Sequence, residues 1–412
     1  MKSVVFIECN FTGIDAIVSA SKAGIKCYLI TSDLDLLKSM LPKTFFDHLH
    51  ESVDIIKVQN SDNVEEVLST IDQLNLKPSA VLTFSQFRLV TASHVASRLN
   101  LKCTNVTALE NAIDKYALRE VMRASGLPSI KYLSLTADTN ENSILTQVGL
   151  PCIFKPSKGH SSLNIELVRS ISELRTALLK YQLKENFQII VEEYLEGPLF
   201  SLETITCKAG DHITWGYTDR VLTENFIEIG ATFPSQTPND KAGVELVQKT
   251  LDAIGFDFGA CHTEMIFTKN GPRIVEVNPR PGGSGVCRLI SLATEHDVTM
   301  EIVNMYLGAQ PSQNLKHYRS VTMNCLLPHQ SGRIVALPNK TQLLKLKGVR
   351  DVWFQREEGE STNESRSNFS YTLTIMTVAE EQSSYENAKQ AASLASSMTL
   401  IEPHYSQVLN IS

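Results

Sequence analysis

Short apolar runs alternate with amphipathic stretches over the first 110 residues. The runs at 4–7, 27–30, 55–58 and 80–83 have the length and the valine and isoleucine content of buried strands. Between them, 14–22, 64–74 and 89–99 carry apolar residues at helical spacing. Strand–helix alternation predicts a parallel sheet with right-handed crossovers. The turn after the first strand, Glu8 to Gly13, holds a single glycine where a dinucleotide fold carries three. The reading is a Rossmann-like scaffold without a nicotinamide site.

A charged helix over 113–125 follows, stopped by Gly126 and Pro128. Strands around 151–156 and 164–168 flank a turn, and a helix over 172–181 starts at Ser172 as N-cap. The next region is richer in strands, at 188–193, 201–208 and 213–220, with a helix at 241–254 and a strand pair from 264 to 280. Beyond it the pattern predicts strands at 321–327, 352–355 and 370–378 and helices near 341–346 and 383–398. The polar run 357–368 reads as a hairpin loop or a disordered stretch. The predicted class is α/β and α+β in four parts: a Rossmann-like domain over 1–110, a small lobe over 111–185, a larger lobe over 186–319 and a small C-terminal α+β domain over 320–412.

Composition adds exclusions. Thirty-eight basic and 45 acidic residues give a formal charge of −7, so no basic surface marks a nucleic-acid binder. No apolar run approaches the roughly 20 residues of a membrane span. The first strand is cut short by Glu8, which is unlike a signal peptide. Eight cysteines lie mostly in apolar text without a Cys-x-x-Cys pair; they read as reduced, buried thiols of a cytoplasmic protein.

The chemistry concentrates in 264–280. Two strands meet at the turn Asn270-Gly271. Glu276, Asn278 and Arg280 fall at alternate positions and share one face, with Val275 and Val277 on the other and Glu264 on the partner strand. Two acids, an amide and a guanidinium make a poor core strand. They make a good oxygen face for a divalent cation, with an arginine aimed at phosphate or carboxylate. The plain alternative is a solvated strand face. His262 shares that side, and a structural role suits it better than ligation because Mg²⁺ prefers oxygen.

Upstream, Lys155 ends a buried strand and enters a loop of small residues, 157–162, whose amides could close over phosphate. The loop lacks the Gly-Lys-Ser/Thr ending of a Walker loop, and a hairpin with a polar turn is the alternative. His160 within it faces phosphate or solvent. Glu192, Glu193, Tyr194 and Leu195 end a strand whose backbone can read an adenine edge, or they form an ordinary exposed strand end. Lys115 stands near a helix start, where lysines usually face water.

In this order and spacing, Lys115, Lys155 with its loop, Glu192–Leu195, and then Glu264, Glu276, Asn278 and Arg280 resemble the ATP-grasp family, over roughly residues 1–400. The resemblance implies an ATP-grasp fold with a pre-ATP-grasp domain in front and a small domain behind. ATP would lie between two lobes. Lys115 and Lys155 would contact its phosphates, Ser161 and Ser162 would cover them, and 192–195 would hold adenine. Glu264 and Glu276 would ligate Mg²⁺, as two ions with Mn²⁺ as a substitute, and Asn278 would bind the second. Arg280, with Lys155, would carry the catalysis by steadying the transferring phosphoryl group or an acyl-phosphate. Many members place an acidic ribose contact near position 199, which is Leu199 here, so the backbone or Glu203 would replace it.

Two further segments narrow the resemblance. The turn Gly282-Gly283-Ser284-Gly285 offers backbone amides to a substrate carboxylate, or is a flexible loop. The apolar stretch 224–235 holds Glu228, and with 346–352 it resembles the L-amino-acid ligase branch, which includes bacilysin-type and dapdiamide-type synthetases. That implies a carboxylate–amine ligase. It would join an amino-acid-like acyl donor to an amino acid through an acyl-phosphate, releasing ADP and phosphate. Its partners would be small-molecule carboxylates and amines, with neither nucleic acid nor membrane, and a homodimer is compatible with the branch. Glu228 would meet a substrate ammonium; some members place a histidine shortly after it, where this chain has Ala231. A bicarbonate-using carboxylase of the same family and a non-catalytic ATP-binding protein are the alternatives. The first lacks a biotinyl Met-Lys-Met lure here, and the second has no need of the acid–amide–arginine set.

Ser284 is small and leaves room for a long acyl donor. Ser284→Trp is expected to restrict the enzyme to small donors, read by mass spectrometry of products over a donor panel. An unchanged donor profile would remove Ser284 from the donor site.

Overall fold

The computed structural model describes residues 2–40, 43–159, 163–182, 188–235, 240–362, 370–379 and 384–403. His160, Ser161 and Ser162 lie outside the described residues. The first sheet is parallel, with Ser3–Ile7 between Lys26–Thr31 and Ala80–Leu82 and with Asp54–Lys57 at the edge. Its central strand is buried on both faces, as parallel sheets require. Val4 and Phe6 pack into one core with Ile14 and Ile17 of the helix Phe11–Lys22. Val5 and Ile7 pack into another, with Val67 and Val95. The alternation of one apolar run thus supplies both cores.

The helix expected over 113–125 is Lys115–Ala124, and Asp114 parts it from a preceding helix, Val106–Ile113, that the pattern did not predict. Asp114 takes an extended backbone, and its side chain accepts from Tyr116 N and Ala117 N. An N-cap of this kind ends one helix and starts the next. It sets Lys115 at the first helical position.

A four-stranded antiparallel sheet follows, in the order Tyr132–Ser134, Ile189–Glu193, Cys152–Pro156, Glu166–Val168. The strand Ile189–Glu193, which a boundary at 185 assigns to the larger lobe, sits inside this smaller sheet. The reason is its apolar face: Ile189 and Val191 join Phe154, Val168 and Leu174 in one core.

The large sheet has eight antiparallel strands. Gly271–Asn278, Gly259–Thr268, Leu199–Lys208, Asp211–Leu222 and Glu228–Phe233 continue directly into Ser320–Leu326, Leu373–Ala379 and Val349–Phe354. The C-terminal part therefore extends the sheet of the larger lobe, since Glu228–Phe233 would otherwise leave an unpaired edge beside Val321 and Met323. Of the described strands beyond residue 320, only Gly332–Ala336, Ser361–Thr362 and Leu400–Pro403 form a sheet apart. Among the described residues no helix is long and apolar enough to cross a membrane.

The helix Lys241–Ile254 packs on the large sheet through Gly243. A Cβ there would stand 2.3 Å from Tyr217 Oη and 2.9 Å from Phe267 Cζ. Alanine normally improves a helix by about 1 kcal/mol over glycine. Here overpacking, about 1–3 kcal/mol, opposes that gain. Gly243→Ala is expected to lower stability in a denaturant titration; a midpoint at or above that of the wild type would show that the helix can back away.

Candidate active site

Glu264 and Glu276 stand directly opposite each other across paired strands, one step from the His262 and Asn278 pair. Like charges placed this way repel. Each acid is met by a cation from elsewhere. Lys115 Nζ lies 3.2 Å from Glu276 Oε2, and Arg220 Nη1 lies 3.2 Å from Glu264 Oε1. Asn278 Nδ2 donates to Glu276 Oε1 at 2.9 Å. Burial raises the Glu276 pKa, but Lys115, the Asn278 bond and Lys155 outweigh it and bring it down to about 2. Glu264 is also held below the usual carboxylate range, with Arg220 overcoming burial and the neighbouring Glu276.

The predicted lysines are buried rather than solvated. Lys115 N donates to Ser157 O at 3.0 Å and its Nζ donates to Gly159 O at 3.1 Å. Lys155 Nζ lies 2.6 Å from Glu192 Oε2, and Glu192 Oε1 accepts from Arg119 Nε at 2.8 Å. Arg119 is fully buried and also donates to Val275 O at 2.6 Å. The Glu192 carboxylate is thus committed to two cations, and the residue is paired in the sheet with Tyr132 on one side and Ile153 on the other. Burial lowers the Lys155 pKa and outweighs Glu192. Glu193 accepts from Lys131 N at 2.8 Å, and Tyr194 N donates to Pro151 O at 3.0 Å.

Glu228 also has its partner already. Arg220 holds it through two bonds, Nε to Oε1 at 2.6 Å and Nη2 to Oε2 at 2.8 Å. A substrate ammonium would compete with a bidentate guanidinium, the stronger partner. Glu203 is 2% exposed and lies 2.7 Å from His262 Nδ1; it does not line the cavity described below, so the structure does not put it at a ribose. His262 Nε2 faces Arg220 Nη1 at 2.9 Å and Glu264 Oε1 at 3.3 Å, so both ring nitrogens are engaged within the protein.

Arg280 grips Gln86 Oε1 with Nε at 3.1 Å and Nη2 at 2.8 Å, and Nη1 donates to Pro281 O at 3.0 Å. Beyond it, Gly282 is enclosed: a Cβ would stand 2.8 Å from Val286, and its carbonyl accepts from Thr12 Oγ1 at 3.3 Å. Ser284 is exposed with φ +51°, and Gly285 at φ +98° leads into the helix Val286–Thr294. The turn is anchored at Gly282 and buried again at Gly285, and Ser284 between them faces outward.

A cavity of about 480 Å³ opens between the small and large sheets, a size suited to a small ligand. Of the predicted residues it brings together Lys115, Lys155, Glu192, Glu193, Tyr194, Leu195, Glu228, Glu264 and Glu276. Asn278, Arg280 and Gly282–Ser284 stand outside its lining. Ile153, Leu167, Leu199 and Ile266 supply apolar wall. The oxygens of Glu264, Glu276 and Asn278 are hard donors. Among the described residues no group of three or more His, Cys, Asp or Glu is poised around one ion. Two carboxylates and an amide suit Mg²⁺ shared with phosphate oxygens and water better than a closed protein cage.

Sequence reading passed over Arg119, Arg220 and Gln86. Arg119 had a signal: with Lys115, Leu118 and Met122 it occupies the buried stripe of its helix, where cations do not belong unless paired. Arg220 sits on a strand amid ordinary polar text. Gln86 is brought by a different sheet, and nothing local marks it.

The Glu276 shift has a direction that stability measurements can read. Its folded pKa is depressed, so its contribution is present above the unfolded value near 4.5 and is lost as pH falls through about 2. Without added Mg²⁺, the wild type is expected to lose a few kcal/mol more than Glu276→Gln across that window. Parallel stability curves from urea titrations would show that Lys115 does not hold the carboxylate.

Residues 112–284 match the model of the ATP-grasp domain family. The chain is 25% identical over 298 residues to alanine–anticapsin ligase of Bacillus subtilis (strain 168), covering 65% of this chain and 62% of that one. It is 21% identical over 330 residues to dapdiamide A synthase of Enterobacter agglomerans, covering 75% and 76%. The chain spans between 59% and 64% of the length of four of its curated relatives. The crystal structure of an L-amino acid ligase from Bacillus licheniformis superposes with a TM-score of 0.81 at 20% identity, over 98% of this chain and 99% of that one. The opposed acid pair, the buried lysines and the cavity between two sheets thus lie within the matched residues: the chain has the ATP-grasp fold, and residues 112–284 match the model of its domain family.

Proposed function

We propose that this protein is an ATP-dependent carboxylate–amine ligase, joining an amino-acid-like acyl donor to an amino acid through an acyl-phosphate. The observation that carries the proposal is the Glu264–Glu276 pair facing Lys115 and Lys155 across one cavity with apolar walls. Carboxylates make poor electrophiles, and phosphoryl transfer asks the protein for position and charge rather than for a nucleophile. Lys115 and Lys155 offer that charge from rigid elements, and Glu192 and Arg119 keep Lys155 aimed. Glu264, Glu276 and Asn278 would hold Mg²⁺, which neutralises phosphate oxygens. Arg280, paired only with neutral oxygens, is free to turn its charge on a substrate carboxylate or the transferring group. The names of the relatives, a ligase of alanine and anticapsin among them, support amide formation. Two metal ions, with Mn²⁺ able to replace Mg²⁺, fit the two opposed acids. We place the enzyme in the cytoplasm, since all eight cysteines are free thiols.

The test is ADP and phosphate release with Mg²⁺ over acyl donors paired with amino acids, with mass spectrometry of products. A product at the sum of two substrates minus water is expected. Release that depends on bicarbonate instead would make the protein a carboxylase, and ATP binding without release across the panel would make it a binding protein. Glu276→Gln is expected to cut ADP release at least about 100-fold, on the scale of losing a preorganised charge contact, while the fold is kept by circular dichroism. Lys155→Met leaves Glu192 with Arg119 alone and is expected to cost both activity and about 3 kcal/mol of stability. Full activity in either variant would move the chemistry elsewhere.

A further inference from the structure

The helix Lys115–Ala124 carries two buried cations one turn apart, Lys115 and Arg119. Lys115 reaches the cavity. Arg119 is fully buried, stands behind the cavity wall and meets Glu192 there. Glu192 divides its two oxygens: Oε2 lies 2.6 Å from Lys155 Nζ, and Oε1 accepts from Arg119 Nε at 2.8 Å. Two cations thus share one carboxylate, with one positive charge in surplus, at a depth where salt screens little. Arg119 Nη2 is spent on Val275 O, but Nη1 is buried without a hydrogen-bond partner. Arginines kept for structure alone have their buried donors satisfied. A buried ion set can also often be replaced by apolar side chains of similar volume at little cost in stability. The surplus charge therefore points to the cavity. Lys155 and Glu192 line it and Arg119 does not, so the lysine is the group through which a ligand meets that charge.

We propose that Arg119 is a positioning residue for Lys155. By occupying one oxygen of Glu192 it keeps that acid from closing on the lysine with both, and it leaves the charge of Lys155 to a polyanionic ligand. This rests on the reading of the cavity as an ATP site with Lys155 at the phosphates. Without Arg119, Glu192 and Lys155 become a neutral pair and the phosphates lose one unit of attraction. With Arg119 and Glu192 both neutralised, Lys155 stands alone and the surplus returns. The two changes oppose each other in ligand binding, which a role in packing alone does not produce.

The experiment is equilibrium binding of ATP with Mg²⁺ by calorimetry, with folding followed by circular dichroism. The chains compared are the wild type, Arg119→Met, Arg119→Lys and the double variant Arg119→Met with Glu192→Gln. Arg119→Met is expected to weaken ATP binding about 10-fold or more, the scale of one unit charge at a partly buried site. The double variant is expected to bind ATP within about threefold of the wild type, and so is Arg119→Lys, which keeps the charge and loses the fork. A double variant that binds no more tightly than Arg119→Met, or an Arg119→Met chain that binds as the wild type does, overturns the assignment while leaving the ATP site intact. Should Arg119→Met not fold, the double variant decides alone: binding within about threefold of the wild type supports the assignment, and a larger loss overturns it. Absence of ATP binding to the wild type overturns the nucleotide reading and the assignment with it.

Discussion

The site depends on a repulsion that the fold must hold in check. Two carboxylates placed opposite each other on neighbouring strands would push the strands apart if left alone. Lys115 comes to Glu276 from a helix start next to the small sheet, and Arg220 comes to Glu264 from two strands away in the large one. The acids are therefore a seam at which separate elements are tied. The same charges that make the pair costly in isolation give each element a reason to sit where it does. Removing one partner from such a buried set leaves the rest uncompensated.

A second set of contacts ties the lysine strand to the same place. Glu192 stands between Lys155 and Arg119, and Arg119 reaches the backbone of Val275, next to Glu276. Three separate strands and one helix thus meet through a single carboxylate and a single guanidinium. Gln86 does the equivalent for the N-terminal sheet, reaching Arg280 from the turn after Ala80–Leu82. The N-terminal domain is joined to the chemistry by that contact as well as by the shared core around Ile14, Phe84 and Val286.

The fold was legible where one period dominates. The double burial of Val4–Ile7 and the alternation of Glu276 with Val277 could be read directly, because side-chain direction in a strand follows from position alone. The order of the lysines and acids was legible too, and the cavity gathers most of them. Asp114 was read as one more polar residue in a helix, since capping depends on its backbone conformation. The boundary at 185 failed because strand pairing is set by apolar faces that meet only in three dimensions: Ile189 and Val191 belong with Phe154, which precedes them by more than 30 residues. Side-chain partners were the least legible. Glu228 and Glu203 read as open acids, and only the approach of Arg220 and His262 shows them occupied.

Four cations, Lys115, Lys155, Arg169 and Arg220, line the cavity against its six carboxylates. The formal charge of the lining is therefore −2, and three of its four cations already have acidic neighbours. Under the proposed function, a bare nucleotide would meet like charge on entry, and divalent ions held by it or by Glu264 and Glu276 would be what turns the walls from repulsive to attractive.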